Sequence, residues 1–199
     1  VMLTIDEPHN KHSFSSEMCF PYATYLDTRY TMTMPVDVTR NTAVDALCHA
    51  IESYLNVQAS AFSDTVSLEA IRLIGKSAVA LLSGKFSEED RENLLVAASS
   101  GGMAVAHTGL NLVHLMGHKV TCSKNISHGR ANGALLVEFI AFVARTNIMR
   151  AVKVIDAFGY ELSGFKKLID RVAPIDVEIT EEDIDEWVEL AITDKELEN

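Results

Sequence analysis

The chain has 199 residues, a formal net charge of −11, and 48% hydrophobic against 23% charged residues. That balance is the composition of a globular protein able to bury a core, and its acidity excludes nucleic acid as a partner, because a phosphate backbone calls for a basic face. No apolar run reaches the ~20 residues of a spanning helix and no leader-like segment opens the chain, so no membrane partner and a cytoplasmic location are expected.

Residues 1 to about 30 hold the β-like character. VMLTI and YATYL are short apolar or aromatic runs with polar flanks, which predicts two strands, and the polar DEPHNKHSFSSEMCFP between them predicts a loop. A strand already under way at Val1 is expected of a chain cut from something longer. Cys19, Cys48 and Cys122 are odd in number and lack CxxC spacing, so they are expected to be reduced thiols.

Beyond TMTMPVDVTRN the apolar period becomes helical. A helix is predicted over 39–55, carried by Val44, Leu47, Cys48, Ile51, Tyr54 and Leu55, and a second over 62–82. Ser87 and Asp90 resemble a capping box and open a third, to about residue 106. An apolar segment over 109–120 and a polar loop, TCSKNIS, precede a helix over 128–144. Helices follow near 147–158 and 163–172, and Thr180 with Asp183 begins the last. The fold class expected is mainly α, a helical-bundle-like domain over 36–199, behind a short β segment over 1–35.

Candidate chemistry lies on three of these segments. In DALCHAIES, Asp45 and His49 fall ~40° apart and ~6 Å apart along the axis, and Asn41, Asp45, His49, Glu52 and Asn56 share a wedge roughly 80° wide. Alone, that wedge reads as a solvated face. In GLNLVHLMGH the apolar residues cover nearly the whole circumference, and Asn111, His114 and His118 form the polar strip. Buried imidazoles need partners for both ring nitrogens, and a metal ion is one way to meet that need. In ISHGRANG, Ser127 is a plausible N-cap, His128 opens a helix, and Gly129 leaves the approach open. One carboxylate and three imidazoles from three helices make an N/O donor set suited to Fe(II) or Zn(II).

At these residues the sequence resembles the iron-containing (group III) alcohol dehydrogenases. MPVDVTRNTAVDALCHAIESYL is similar to that family's D-A-x-x-H-A-x-E helix. GMAVAHTGLNLVHLMGHKV followed by ISHGRANGALL is similar to its H-x-x-x-H and H-G-x-A-N segments. The resemblance implies metal ligands at Asp45, His49, His114 and His128. It also implies that His118 lies near nicotinamide and substrate, positioning them or relaying a proton. The activity implied is metal-dependent hydride transfer between a small alcohol or aldehyde and NAD or NADP.

Lys119 and Ser127 stand where many relatives have proline, which touches loop stiffness and no ligand. The family's Gly-Gly-Gly-Ser turn and later Gly-Thr-Gly-Ser-Glu stretch, in an N-terminal nucleotide-binding domain, are absent. VMLTIDE resembles the strand that follows them, and AITDKELEN resembles a C-terminal region that stops a few residues early. The partner expected is therefore that N-terminal domain, with weak NAD(P) binding by this chain alone. Self-association into a homo-oligomer is expected too, from apolar surface left by an undocked domain. The competing expectation is a metal-binding fragment or module without catalysis. Metal loss is expected in His114→Ala and His128→Ala but not in Glu52→Ala.

Overall fold

The structure is a computed structural model and describes residues 2–5, 10–14 and 16–193. The expectations at Val1 and for AITDKELEN beyond Thr193 lie outside the described residues. Strand β1 (Met2–Ile5) pairs antiparallel with β2 (Asn10–Ser13), Met2 opposite Ser13. The pairing strand thus arises within the segment expected to be a loop, and YATYL forms no strand. Tyr22 and Tyr25 are 107% and 92% exposed. Aromatic β-propensity reflects packing on sheet neighbours, and these rings have none. Short 3-10 turns at Glu17–Cys19 and Thr28–Tyr30 are capped by the side chains of Ser16 and Asp27.

Nine helices follow among the described residues: α1 (Val36–Leu55), α2 (Ala61–Lys76), α3 (Ala78–Ser83), α4 (Glu88–Thr108), α5 (Leu112–Lys124), α6 (His128–Ala144), α7 (Ile148–Phe158), α8 (Leu162–Val172) and α9 (Glu181–Thr193). The mainly α architecture expected from periodicity is the one observed. Three boundaries differ. Helix α1 starts three residues earlier, directly behind Pro35, whose missing N–H and fixed φ suit a helix entry. The segment expected as one helix over 62–82 breaks at Ser77 (φ −88°, ψ 7°) into α2 and α3. The polar TCSKNIS is mostly helix, since α5 runs to Lys124 and ends at Asn125 in the left-handed region (φ 51°).

Helix α1 is central, packed by α2, α4 and α6. Leu47, Ile51, Ile71, Ile74, Leu81, Leu136, Phe165 and Ile169 are almost wholly buried in one cluster. Each such side chain contributes about 1.5–3 kcal/mol by leaving water. A second, smaller cluster of Val120, Ile126, Ala131 and Trp187 docks α9 on α5 and α6.

Arginines satisfy carbonyl groups that the helix ends leave over. Arg40 donates from Nε to Leu81 O (2.8 Å) and from Nη2 to Leu82 O (2.9 Å) at the end of α3. Arg150 donates from Nε to Tyr54 O (3.0 Å) at the end of α1 and pairs with Asp64 of α2. Buried Arg91 donates to Thr39 Oγ1 (2.6 Å) and Met34 O (3.0 Å), fixing the entry to α1 against α4. These ties hold α1 at both ends, so the side chains along its middle have a fixed origin.

Candidate metal centre

Helix α1 presents Asp45, His49 and Glu52, α5 presents His114 and His118, and α6 presents His128 at its first residue. Donor atoms of Asp45, His114 and His128 all lie within 4.8 Å of one another. His114 Nε2 stands 3.4 Å, and His128 Nε2 3.8 Å, from Asp45 Oδ1. His114 is 1% exposed, and its Nε2 is buried without a hydrogen-bond partner. Such a nitrogen costs free energy unless a donor or a cation meets it.

The other sequence-predicted residues sit close by. The His49 ring stacks on that of His114 with centroids 4.4 Å apart, and its nitrogens stay outside the 4.8 Å donor set. His118 is 4% exposed, and its ring stacks on that of His128 at 4.9 Å. Four imidazoles therefore form one cluster, of which two join Asp45 in the tight donor set.

Three further residues hold this cluster in place. Glu52 is fully buried, and its Oε1 accepts the N–H groups of Asn111 (3.1 Å), Val113 (2.9 Å) and His114 (3.4 Å) at the start of α5. Its Oε2 faces His114 Nδ1 in a hydrogen bond. Asn132, on α6, donates from Nδ2 to Asp45 Oδ1 (2.8 Å) and toward His128 Nε2 (3.1 Å). Thr121 Oγ1 lies 3.1 Å from His128 Nδ1. One amide NH2 group thus sits where a carboxylate oxygen and an imidazole nitrogen converge, the kind of position a cation takes. The sequence had placed Glu52 in the polar wedge without a partner. The signal that could have found it was its position seven residues after Asp45, two turns along the same face.

Two glycines make the convergence possible. A Cβ at Gly117 would stand 1.8 Å from Asn132 Oδ1, and one at Gly129 would stand 1.9 Å from the Asn41 carbonyl oxygen. Gly129 therefore serves the crossing of α6 over α1, a correction to the expectation that it clears an approach.

The electrostatics follow from this crowding. Burial pushes the Asp45 carboxyl up, but the contact with His114 and the neighbouring His49 and His128 outweigh it and hold it well below the carboxylate range. Burial, then His114, pulls His49 down to about 4 against the pull of Asp45. Burial would also lower His114, but Asp45 and Glu52 on its two edges raise it to about 9. An anionic oxygen beside imidazole nitrogens is a chemistry that fits Fe(II) or Zn(II).

Comparison with known proteins gives one answer. The model for the C-terminal part of the Fe-containing alcohol dehydrogenase family matches residues 39–199. A protein described as probable alcohol dehydrogenase EutG from Salmonella typhimurium is 38% identical over 122 residues, covering 61% of this chain and 31% of that one. The aldehyde-alcohol dehydrogenase of Clostridium acetobutylicum is 35% identical over 147 residues, 73% of this chain and 17% of that one. Among solved structures, an iron-containing alcohol dehydrogenase from Thermotoga maritima superposes with a TM-score of 0.86 at 33% identity, over 100% of this chain and 53% of that one. Another iron-containing alcohol dehydrogenase gives 0.88 at 32% identity with the same coverage. The chain thus spans about half the length of those solved chains and a third or less of these two curated relatives.

Proposed function

The chain belongs to the iron-containing alcohol dehydrogenase family, and from that membership we propose that it is the metal-binding helical part of an oxidoreductase interconverting small alcohols and aldehydes. The observation that carries the proposal is the meeting of Asp45, His114 and His128 from three helices, with a buried His114 nitrogen left for a cation. Asp45, His49, His114 and His128 are the proposed ligands. Iron(II) is the metal favoured by the family, and zinc(II) suits the same donors.

A cation held by these residues would supply Lewis acidity, and NAD(P) held by the nucleotide-binding domain would supply the hydride chemistry. The residues of this chain do the rest. His118, buried beside His128, would position substrate and nicotinamide or relay a proton through a ring nitrogen. Asp45 keeps its negative charge among four imidazoles and so offers a cation an anionic oxygen. We assign 36–199 to this domain and 1–35 to the tail of a nucleotide-binding domain that holds NAD or NADP. Self-association belongs to the same proposal.

Metal analysis tests the site. His114→Ala and His128→Ala should each weaken zinc or iron binding by more than the ~10–100-fold that loss of a ligand's outer partner costs. Full retention of metal in both would remove the site. Alcohol-dependent NAD(P)+ reduction with and without an added N-terminal domain then separates an oxidoreductase part from a metal-binding module without catalysis.

A further inference from the structure

Glu52 does more than fill a gap. It lies on α1 two turns beyond Asp45, and the His114 ring stands between the two carboxylates, Nδ1 toward Glu52 and Nε2 toward Asp45. One helix thereby grips both edges of one imidazole. We infer that Glu52 is a positioning residue that decides which nitrogen of His114 can bind a metal ion, a role that rests on the metal centre proposed above.

The argument is one of donors and acceptors. An ionised carboxylate only accepts hydrogen bonds, so Nδ1 must carry a hydrogen where it faces Glu52. The lone pair of neutral His114 then lies on Nε2, the nitrogen that points at Asp45 and His128. The same carboxylate accepts three N–H groups from the first turn of α5. The ring and the helix that carries it are therefore set by a single group, the outer partner a ligating histidine ordinarily needs.

Glutamine at this position separates the two roles. Its size is the same, and its carbonyl oxygen can still accept the three N–H groups of α5. Its NH2 would then face Nδ1, forcing the lone pair to Nδ1 and the hydrogen to Nε2. Reversing the amide would set NH2 against three N–H donors. The first arrangement takes the lone pair from Nε2, and the second keeps it only by leaving three N–H donors at the start of α5 without an acceptor. A residue that only caps α5 would tolerate glutamine.

The experiment uses the 199-residue chain, zinc(II) as probe, and competition against a chelator of known affinity. Glu52→Gln should bind zinc about 10–100-fold more weakly than the unaltered chain, while the helical signal and the cooperativity of unfolding remain. Nitrogen-15 NMR of the imidazole rings supplies a readout independent of activity. In the zinc-loaded parent the resonance that disappears in His114→Ala should carry its hydrogen on Nδ1. Unchanged zinc affinity in Glu52→Gln overturns the role of Glu52 alone. Failure of the unaltered chain to bind zinc overturns the metal reading beneath it. If Glu52→Gln does not fold, the parent spectrum decides: a hydrogen on Nε2 with Nδ1 bare overturns the inference.

Discussion

Hydropathy cannot tell a carboxylate facing water from one facing the first turn of another helix. For that reason Glu52 read as part of a wet stripe and Asp45 with His49 read as its neighbours. The structure turns that stripe inward: Glu52 is fully buried, and His49 lies against His114. The expectation that Glu52→Ala keeps its metal is accordingly reversed, because alanine would leave three N–H groups and a ring nitrogen without their acceptor. A different carboxylate yields a prediction in pH. Asp183 accepts from Lys124 Nζ at 2.6 Å and from the Thr180 N–H at 2.8 Å, and these bonds hold its carboxyl down to about 2. The folded value lies below the unfolded one, so the stabilisation is complete above about pH 4 and is lost as pH falls toward 2. Asp183→Asn should therefore lower the urea midpoint near neutral pH, with Trp187 emission as the signal, and the gap to the parent should close in acid. A gap that is the same at both ends would remove this account of Asp183.

Most helices could be read from the sequence because their ends carry local chemistry. Ser87 and Asp90 exchange backbone and side-chain bonds at the start of α4, and Thr180 and Asp183 do the same ahead of α9. The break at Ser77 was not legible, since apolar residues continue on both sides of it. The strand at Asn10–Ser13 was equally hidden, being polar and defined by its pairing with β1. Among the site residues, order and spacing of His114, His118 and His128 were visible, whereas the Asn132 bonds that span 87 residues were not. Tight crossings between elements belong to the same hidden class. Gly129→Ala would push a methyl group to within 1.9 Å of the Asn41 carbonyl oxygen, where α6 meets α1. The expected loss is about 1–3 kcal/mol of unfolding free energy in a denaturant titration. Zinc binding should weaken with it, because His128 is the adjoining residue. An unaltered midpoint would show that the two helices have slack at this crossing.

At the scale of the whole chain, one large core surrounds α1 while a small second core holds α9. The segment before α1 contrasts with both: Met18, Phe20 and Tyr30 are 94%, 62% and 86% exposed. Apolar residues so placed favour association with another protein surface. No described helix is long and apolar enough to cross a membrane.

The candidate metal centre joins distant chain segments, since the contact of Glu52 with His114 spans 62 residues and that of Asn132 with Asp45 spans 87. Loops of that length close late, after the neighbouring pairs α1–α2 and α5–α6 have formed. The donor set is therefore expected to assemble on the native side of the folding barrier. Zinc should slow unfolding of the chain and leave its refolding rate nearly unchanged, as stopped-flow traces of Trp187 emission would record. Equal effects on both limbs would mean that the donors meet before the barrier is crossed. On this account the ion acts as a latch on a finished structure and takes no part in guiding the chain toward it.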